Sequence, residues 1–319
     1  MARWQHNLDL PGPWQDITMG EGGTPLIPLD PGRPQVLAKL EHLMPTLSFK
    51  ARGAAVLVSV AAGVGATRLV ADSSGNAGTA IAAYAARARL PCQVFVPEGT
   101  SPGKVARIAA HGAAVEVVKG DREDAAKAAI DAVEDSEAFY ASHAWHPAFL
   151  EGTKTFAFEV WEQLGRQAPD EVVLPVGNGT LLLGAALGFD ELLAAGLITA
   201  RPRLIGVQAE ACNPLEQAWR ENVSHPVAIR RRPTAADGIA IATPPRGSQI
   251  LAAVRASGGR FVAVDEEAIS RAQVELAGLG LSIEPTAAAV YAGLLTHLAA
   301  DGANARRIVM PLCGAGVRS

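Results

Sequence analysis

Cysteines, aromatic residues and long apolar runs are scarce in this sequence, and neither sign of charge dominates. Aromatic residues make up 5% of the chain. The three cysteines in 319 residues form neither a disulfide framework nor a metal-binding pattern. Lys and Arg number 28 against 32 acidic residues, so the net charge of -4 gives no electrostatic case for nucleic acid. The longest apolar run, residues 54–66, is too short to cross a bilayer.

These absences predict the class of protein and its compartment. The first residues, Met1-Ala-Arg-Trp-Gln-His, lack the apolar core of a signal peptide, and scattered cysteines are typical of a reducing compartment. Hydrophobic residues make up 49% of the chain and charged residues 19%, as in a globular protein with a substantial core. We therefore expect a cytoplasmic protein that acts on small molecules, with no nucleic acid, membrane or metal among its partners.

Short β-type runs alternate with helical patterns along most of the chain. A strand over 68–71 precedes a helix over 77–89, and the alternation restarts after residues 141–150 and continues to a strand over 306–312. Such alternation predicts βαβ units on parallel sheets. The span 213–246 is predicted to be less regular. Ligands of such sheets bind at the carboxyl ends of the strands.

Lys50 is the first candidate for chemistry. It lies in Thr46-Leu-Ser-Phe-Lys50-Ala-Arg-Gly53, where Ser48 is predicted to cap a helix that extends to about Val64. A lysine in the first turn opposes the helix dipole, and apolar surroundings also favour its neutral form. A neutral amine forms a Schiff base with an aldehyde. On these residues alone, a surface lysine at a helix start is the alternative.

Two loops rich in small residues follow predicted strands and open predicted helices. The first is Asp72-Ser-Ser-Gly-Asn-Ala-Gly78, whose helix-terminal amides suit a carboxylate, although a well-capped turn is an equal alternative. The second is Pro175-Val-Gly-Asn-Gly-Thr180, which suits a phosphate monoester. It is neither a Walker loop nor a complete G-x-G-x-x-G, and Glu191 lies in the following helix rather than where a ribose-binding acid belongs, so a nucleotide is the weaker alternative.

Cys313 ends the last predicted strand, beside two glycines. Its thiol offers a neutral hydrogen-bonding group to a ligand, although a structural role is the alternative for a buried cysteine. An amine, a carboxylate loop, a phosphate loop and a neutral ring partner together describe a site for pyridoxal 5′-phosphate.

The sequence resembles the fold-type-II pyridoxal-phosphate enzymes of the threonine synthase and serine/threonine dehydratase group, in the tryptophan synthase β-like superfamily. The resemblance covers nearly the whole chain. Its six segments, in order, are Gly20-Glu-Gly-Gly-Thr-Pro-Leu26, Ser48-Phe-Lys-Ala-Arg-Gly53, Ser73-Ser-Gly-Asn-Ala-Gly78, Glu151-Gly-Thr-Lys-Thr155, Gly206-Val-Gln-Ala-Glu210 and Glu284-Pro285.

The resemblance implies a role for each matching residue. Lys50 would hold the cofactor as a Schiff base and later move the substrate α-proton, and Asn76 would lie against the phenolic oxygen. The substrate carboxylate would be bound by Ser73, Ser74 and Ala77, and the cofactor phosphate by Gly177, Asn178, Gly179 and Thr180. Cys313 would face the pyridine nitrogen, to which a thiol of ordinary pKa about 8.5 brings no charge. Such a neutral partner favours prompt loss of a β-substituent.

The resemblance also implies an α/β fold of two doubly wound parallel-sheet domains, with the cofactor in the cleft between them, in a homodimer. The large domain would comprise residues 1–45 and 146–319 and bind the phosphate. The small mobile domain, residues 46–145, would bind the substrate carboxylate.

Two departures bear on the substrate. Ala51 replaces an Asp that threonine synthases commonly carry, and Phe149 replaces an Arg that helps them bind the substrate phosphate. An apolar ring cannot replace a bidentate cation. His146 is one candidate to compensate, so it joins the predicted substrate-binding residues.

The predicted activity is therefore that of a lyase acting on a small L-amino acid. A threonine synthase-like reaction, from O-phosphohomoserine to threonine and phosphate, is the first candidate. The alternative is β-elimination or β-replacement on serine- or threonine-like amino acids. A third possibility is a cofactor-binding protein without turnover, against which Lys50 and both loops argue. The roles of Glu284 and of the basic cluster Arg230–Arg232 stay open.

Overall fold

The structure is a computed structural model that describes residues 14–134, 136–301 and 306–316. Their contacts divide them into two compact units. The first unit contains residues 14–22 and the described part of Met44–Thr153, and the second contains Gly23–Leu43 and the described part of Lys154–Arg318. The assignment of one predicted domain to the phosphate and the other to the substrate carboxylate stays a prediction.

The regular elements of the described residues alternate as the sequence predicts. The strands are β1 (Leu26–Pro28), β2 (Val36–Lys39), β3 (Leu69–Ala71), β4 (Cys92–Pro97), β5 (Ala114–Val118), β6 (Phe139–Tyr140), β7 (Glu171–Pro175), β8 (Arg203–Ala209), β9 (Arg260–Val264) and β10 (Ile308–Pro311). The helices are α1 (Trp14–Ile17), α2 (Lys50–Gly63), α3 (Asn76–Arg87), α4 (Pro102–Ala109), α5 (Arg122–Glu134), α6 (Pro147–Thr153), α7 (Thr155–Gln163), α8 (Thr180–Ala194), α9 (Pro214–Arg220), α10 (Gly247–Ala256), α11 (Glu266–Gly278) and α12 (Pro285–Asp301), with 3-10 turns at Glu41–Leu43 and Asp237–Ile239.

The first unit is built on a four-stranded parallel sheet in the order β5-β4-β3-β6. Successive side chains of a strand point to opposite faces, and the sheet has an apolar core on each face. Leu69 and Ala71 join the core that contains apolar residues of α2 and α3. Val70, between them, joins the core that contains Ala129 of α5. The helices therefore cover both faces, as in a doubly wound fold.

The second unit is built on a six-stranded sheet in the order β1-β2-β10-β7-β8-β9. All neighbours are parallel except β1, which pairs antiparallel with β2. Since β10 and β7 are adjacent and parallel, the segments that follow them leave the same edge of the sheet. Those segments begin at Leu312 and Val176, so Cys313 and Gly177 both lie at this carboxyl edge.

Two helices lie where irregular structure was expected. Helix α6 begins at Pro147, inside the predicted loop 141–150, and α9 begins at Pro214, inside the predicted irregular span. Proline suits the first turn of a helix because its missing N–H has no intrahelical acceptor there. The sequence pattern also predicts a helix over 121–135, and its described part is α5, Arg122–Glu134. Asp135 lies outside the described residues, as do residues 1–13.

A search of the described helices for a span that could cross a membrane finds none.

Candidate active site

Lys50 is the first residue of α2, so its predicted position in the first turn is confirmed. The predicted cap is wrong, because Phe49 and not Ser48 occupies the N-cap position, and Phe49 makes no side-chain cap. The helix simply begins two residues after Ser48. The Ser48 hydroxyl is buried and has no hydrogen-bond partner among the described residues.

The surroundings of Lys50 combine an aromatic ring and a buried imidazole. Its Nζ lies 3.9 Å from the centroid of the Phe49 ring, a cation–π contact. The pKa of the buried His143 is lowered well below its ordinary value, first by desolvation and then by the charges of Lys50 and Arg122. His143 is therefore neutral at pH 7. The sequence offers no sign that His143 is buried near Lys50, because an isolated histidine in a loop looks the same whether it is exposed or buried.

The loop after β3 and the first turn of α3 contain the four residues predicted to lie near the substrate carboxylate and the cofactor oxygen. Asn76 and Ala77 are the first two residues of α3, so their amides belong to the turn that lacks intrahelical acceptors. Ser73 is buried, and its carbonyl lies so close to Gly78 that a Cβ there would clash with it. Ser74, Gly75 and Asn76 are half-buried. The loop is thus packed tightly at Ser73 and partly exposed at Ser74, Gly75 and Asn76.

Asp72, which directly follows β3, is a buried carboxyl beside this loop. Its pKa is raised by desolvation, which outweighs the Arg122 charge and a hydrogen bond with Tyr140. One of its oxygens, Oδ1, is buried without a hydrogen-bond partner among the described residues. Sequence reasoning treated Asp72 only as the beginning of the loop, since a burial effect cannot be seen in a single residue type.

The loop after β7 places Gly177, Asn178, Gly179 and Thr180 at the N-terminus of α8, a helix of 15 residues. All four are buried. Gly179 adopts the left-handed conformation at φ 69°, and a Cβ there would clash with Ile250. A Cβ on Gly177 would lie 2.9 Å from the carbonyl oxygen of Gly238. Both glycines are therefore required by the packing, and the loop forms an amide-lined turn at the positive end of a helix.

Cys313 lies at the end of the strand next to this loop. It is buried, and its Sγ lies 3.7 Å from Oε1 of Glu284. A Cβ on Gly314 would clash with the same carboxyl group. The predicted neutral ring partner thus has a carboxylate neighbour. The sequence could not show this contact, because the two residues are 29 positions apart.

His146 and Phe149 belong to the segment where the sequence departs from the synthase pattern. The Nδ1 of His146 accepts a hydrogen bond from the Ala148 amide at 3.1 Å, so this nitrogen serves the first turn of α6. Phe149 is fully buried, and its ring lies so close to Gly53 that a Cβ there would clash with it. The ring also meets His143 edge-on, with centroids 5.9 Å apart. Phe149 is therefore a core residue of the first unit.

Glu191 has a structural partner that accounts for its position. Lys154, nearly buried, donates to its Oε1 at 2.7 Å. This pair connects α8 to the residue before α7. Glu191 thus has a partner within the second unit.

The structure therefore brings the predicted residues together in groups. Ser73, Ser74, Asn76 and Ala77 lie in the loop after β3 and the first turn of α3. They belong to the first unit, as do Lys50 and His146. Gly177, Asn178, Gly179, Thr180 and Cys313 lie at neighbouring strand ends of the second unit. The individual roles of these residues stay predictions.

Comparison with known proteins identifies the family. Residues 17–314 match the family model described as "Pyridoxal-phosphate dependent enzyme". The threonine synthase of Methanosarcina acetivorans is 36% identical over 91% of this chain and 73% of its own length. The threonine synthase of Mycobacterium tuberculosis is 35% identical over 100% of this chain and 88% of its own length.

Solved structures show the same fold. The processed form of threonine deaminase isoform 2 from Solanum lycopersicum has a TM-score of 0.81 at 22% identity, covering 96% of this chain and 87% of that one. Maize serine racemase has a TM-score of 0.79 at 21% identity, covering 92% and 88%. The predicted fold class of two parallel-sheet α/β domains is confirmed, and so is the cofactor. The chain belongs to the family of pyridoxal-phosphate dependent enzymes.

Proposed function

We propose that this protein is a threonine synthase-like lyase, which converts O-phosphohomoserine and water to threonine and inorganic phosphate. The observation that carries the proposal is the likeness to proteins named threonine synthase over 91% to 100% of the chain. The matched part of the chain is long enough to include the lysine segment and both loops.

The loop Gly177–Thr180 fits the phosphate of the cofactor. It offers the first amides of a long helix, a buried threonine and two positions at which any side chain would fill the space. Anions are stabilised at such helix N-termini by the orphan amides and by the dipole. The residues present therefore suit a phosphate monoester, and we assign Gly177, Asn178, Gly179 and Thr180 to it.

The remaining roles are proposed from the resemblance to the family, and the chemistry of the side chains suits them. When bound, the cofactor supplies a ring that withdraws electrons from the substrate amino acid. Lys50 provides the amine that holds the cofactor and then accepts and returns the proton of the α carbon. Asn76 donates to the phenolic oxygen of the cofactor. Ser73, Ser74 and Ala77 bind the substrate carboxylate at the N-terminus of α3.

Burial of the loops has a chemical consequence for this reaction. Hydrogen bonds to the phosphate and the carboxylate are stronger where water is excluded, because the local dielectric constant is low. The buried Gly177–Thr180 loop meets this condition, whereas the half-buried tip of the Ser73–Ala77 loop leaves room for the substrate to enter. His143 is neutral at pH 7, so it adds no positive charge beside Lys50.

One observation favours a second candidate, the dehydration of a serine- or threonine-like amino acid. The position that carries Arg in threonine synthases is Phe149 here, and its ring is fully buried against Gly53. A residue in the core gives a substrate phosphate no cation to bind. A substrate with a neutral hydroxyl would not need one.

The two candidates release different products. The purified holoenzyme is incubated with O-phosphohomoserine, L-serine and L-threonine, and inorganic phosphate and keto acid are measured. Phosphate and threonine from O-phosphohomoserine are expected. Pyruvate or 2-oxobutyrate without phosphate release would replace this proposal by the second candidate, and no product from any substrate would reject both.

The role of Lys50 has a direct spectroscopic test. Lys50→Ala is expected to abolish the visible absorbance of the covalently bound cofactor and to lower turnover by at least about 10³-fold, since general-base and covalent contributions are both lost. Lys127→Ala, at an exposed position of α5, is the matched control and is expected to keep both. A band that persists in Lys50→Ala would place the covalent link elsewhere.

We also propose that the protein acts as a homodimer in the cytoplasm. Its three cysteines, all buried and none in a disulfide, support a reducing compartment. Light scattering of the purified protein tests the dimer, and cell fractionation tests the location. A monomeric mass, or recovery outside the cytoplasmic fraction, would contradict the corresponding statement.

A further inference from the structure

Arg122 brings a positive charge to the carboxyl edge of the sheet in the first unit. It is the first residue of α5, the helix that follows β5, and it is half-buried. Asp72 directly follows β3, and His143 lies in the segment after β6. The strands of this sheet are parallel, so the segments that follow them meet at the same edge. Arg122 therefore shares an edge with the loop proposed to bind the substrate carboxylate.

The charge of Arg122 acts on three neighbouring groups. Burial raises the pKa of the Asp72 carboxyl and of the Tyr140 hydroxyl, and it lowers the pKa of the His143 imidazole. Arg122 opposes the first two shifts in pKa and adds to the third, in each case by its charge and not through a hydrogen bond. These groups therefore leave the N–H donors of the guanidinium available to another acceptor.

The beginning of α5 is fixed by reciprocal capping bonds. The Asp121 carboxylate accepts from the amides of Glu123 and Asp124 at 2.9 and 3.2 Å, and the Asp124 carboxylate accepts from the Asp121 amide at 2.9 Å. Arg122 is thereby held at the first position of the helix. A cation at that end opposes the helix dipole, so arginine is not the residue that helix stability favours there. A residue that breaks a local rule in this way indicates a role outside the helix.

Arg122 also lies near the position at which the sequence lacks a cation. Phe149 replaces the Arg of threonine synthases, and its ring meets the His143 imidazole with centroids 5.9 Å apart. The charges of Lys50 and Arg122 both act on that same imidazole. The neighbourhood of His143 therefore contains the buried ring, the proposed Schiff-base lysine and a second cation.

We propose that Arg122 binds the phosphate group of the substrate and supplies the cation that position 149 lacks. The planar guanidinium presents its donors in a fork that matches the oxygens of a phosphate. Arg122 is thus a residue that determines specificity for an anionic substrate. This inference rests on the proposed function, in which the substrate carries a phosphate and the loop Ser73–Ala77 binds its carboxylate.

Asp72 is compatible with an anion at this place. Burial raises its pKa, so it takes up a proton more readily than an exposed aspartate does. A protonated carboxyl can donate a hydrogen bond to a phosphate oxygen, whereas an ionised one would repel it. Its Oδ1 is buried without a hydrogen-bond partner among the described residues, so this oxygen has capacity for such a bond.

The binding of two amino acids to the holoenzyme tests the inference. The absorbance change of the cofactor is titrated with O-phosphohomoserine and with L-homoserine, which lacks the phosphate. Arg122→Gln is expected to weaken the binding of O-phosphohomoserine at least about 10-fold, as for the loss of a hydrogen bond between charged groups. The binding of L-homoserine is expected to stay the same. Arg122→Lys keeps the charge but not the fork, so it is expected to recover part of the affinity.

A control variant and circular dichroism separate binding from folding. Arg87→Gln, at an exposed position in the last turn of α3, is expected to bind both amino acids as the wild type does. Circular dichroism checks that each variant is folded. Unchanged affinity for O-phosphohomoserine in Arg122→Gln, or an equal loss of affinity for both amino acids, would overturn the inference.

The inference and the proposed reaction can fail separately. Release of phosphate from O-phosphohomoserine with the same KM in the wild type and in Arg122→Gln would overturn the role of Arg122 and leave the reaction standing. Selective loss of O-phosphohomoserine binding in Arg122→Gln would support that role even if the wild type releases no phosphate.

Discussion

The two glycine-bearing loops follow the same plan but differ in how tightly they are packed. Each connects a parallel strand to the N-terminus of a long helix. The loop of the second unit is buried, with a left-handed Gly179 against Ile250. The loop of the first unit is half-buried at its tip, and a Cβ on Gly75 would meet nothing within 4 Å.

The two units also differ in the polar contacts that hold the elements around each loop. In the second unit, Lys39 at the end of β2 forms a buried ion pair with Glu159 at 2.7 Å and also donates to the Thr24 carbonyl. In the first unit, the helix that follows the loop is held by a hydrogen bond from the Tyr84 hydroxyl to Glu21 at 2.7 Å. This contrast is the one expected from the proposed roles, a closed loop for a permanent cofactor and an open one for a substrate that enters and leaves.

Removal of the buried ion pair is expected to have the largest effect on this comparison. Lys39→Met would take this cation away from the buried Glu159, and breaking such a pair typically costs about 3–5 kcal/mol of unfolding free energy. Urea denaturation measures it. Lys127→Met, in the same assay, is the exposed control. A loss below about 1 kcal/mol would show that the sheet under the closed loop does not depend on this pair.

A methyl group on Gly179 tests the closed loop itself. Gly179→Ala would force a non-glycine residue into the left-handed region and push against Ile250, together costing about 2–5 kcal/mol. We expect weaker retention of the cofactor, measured as the fluorescence change on titration of apoprotein with pyridoxal phosphate. Unchanged affinity and stability would show that the loop has more room than its contacts indicate.

His143 tests the electrostatics beside Lys50. Its pKa is lowered in the folded protein, so below about pH 6.5 the unfolded chain binds a proton that the folded protein does not. Stability is therefore complete above that pH and falls as the pH decreases, by at most about 1.4 kcal/mol per pH unit.

The contribution of His143 to the pH dependence of stability is obtained by comparing the wild type with a variant that lacks this histidine. The raised pKa of Asp72 has the opposite sign, because there the folded protein binds the proton first. Unfolding curves of wild type and His143→Gln from about pH 5 to about pH 8 share that contribution, so their difference reports His143. Parallel curves would mean that the pKa of His143 is the same in the folded and the unfolded protein, which contradicts the expected shift.

The smallest effect is expected at the open loop. Gly75 has φ -106° and ψ -154°, a conformation open to any residue, and a Cβ there meets open space. Gly75→Ala should change the unfolding free energy by no more than about 0.5 kcal/mol. Because the loop is proposed to bind the substrate carboxylate, KM is measured as well. A stability loss equal to that of Gly179→Ala would remove the contrast between the loops.

Sequence reasoning reached most of the elements and the two loops because their signals are local. Glycines, small polar residues and a change of hydrophobic period mark the end of a strand and the beginning of a helix within a few residues. The same reasoning misplaced the cap at Ser48 and missed α6. The beginning of a helix shifts by a residue or two with its packing, and Phe149 is buried against Gly53, 96 positions away by their numbers.

The sequence alone therefore determined the family resemblance, the alternating α/β pattern and the candidate residues of both loops. Only the tertiary structure decided that His143 is buried beside Lys50, that Phe149 is a core residue and that Glu284 lies against Cys313. The physical reason is the distance along the chain over which each property is determined. Backbone conformation responds to neighbours along the chain, whereas the pKa and the proton donors of a side chain depend on groups that only folding brings near.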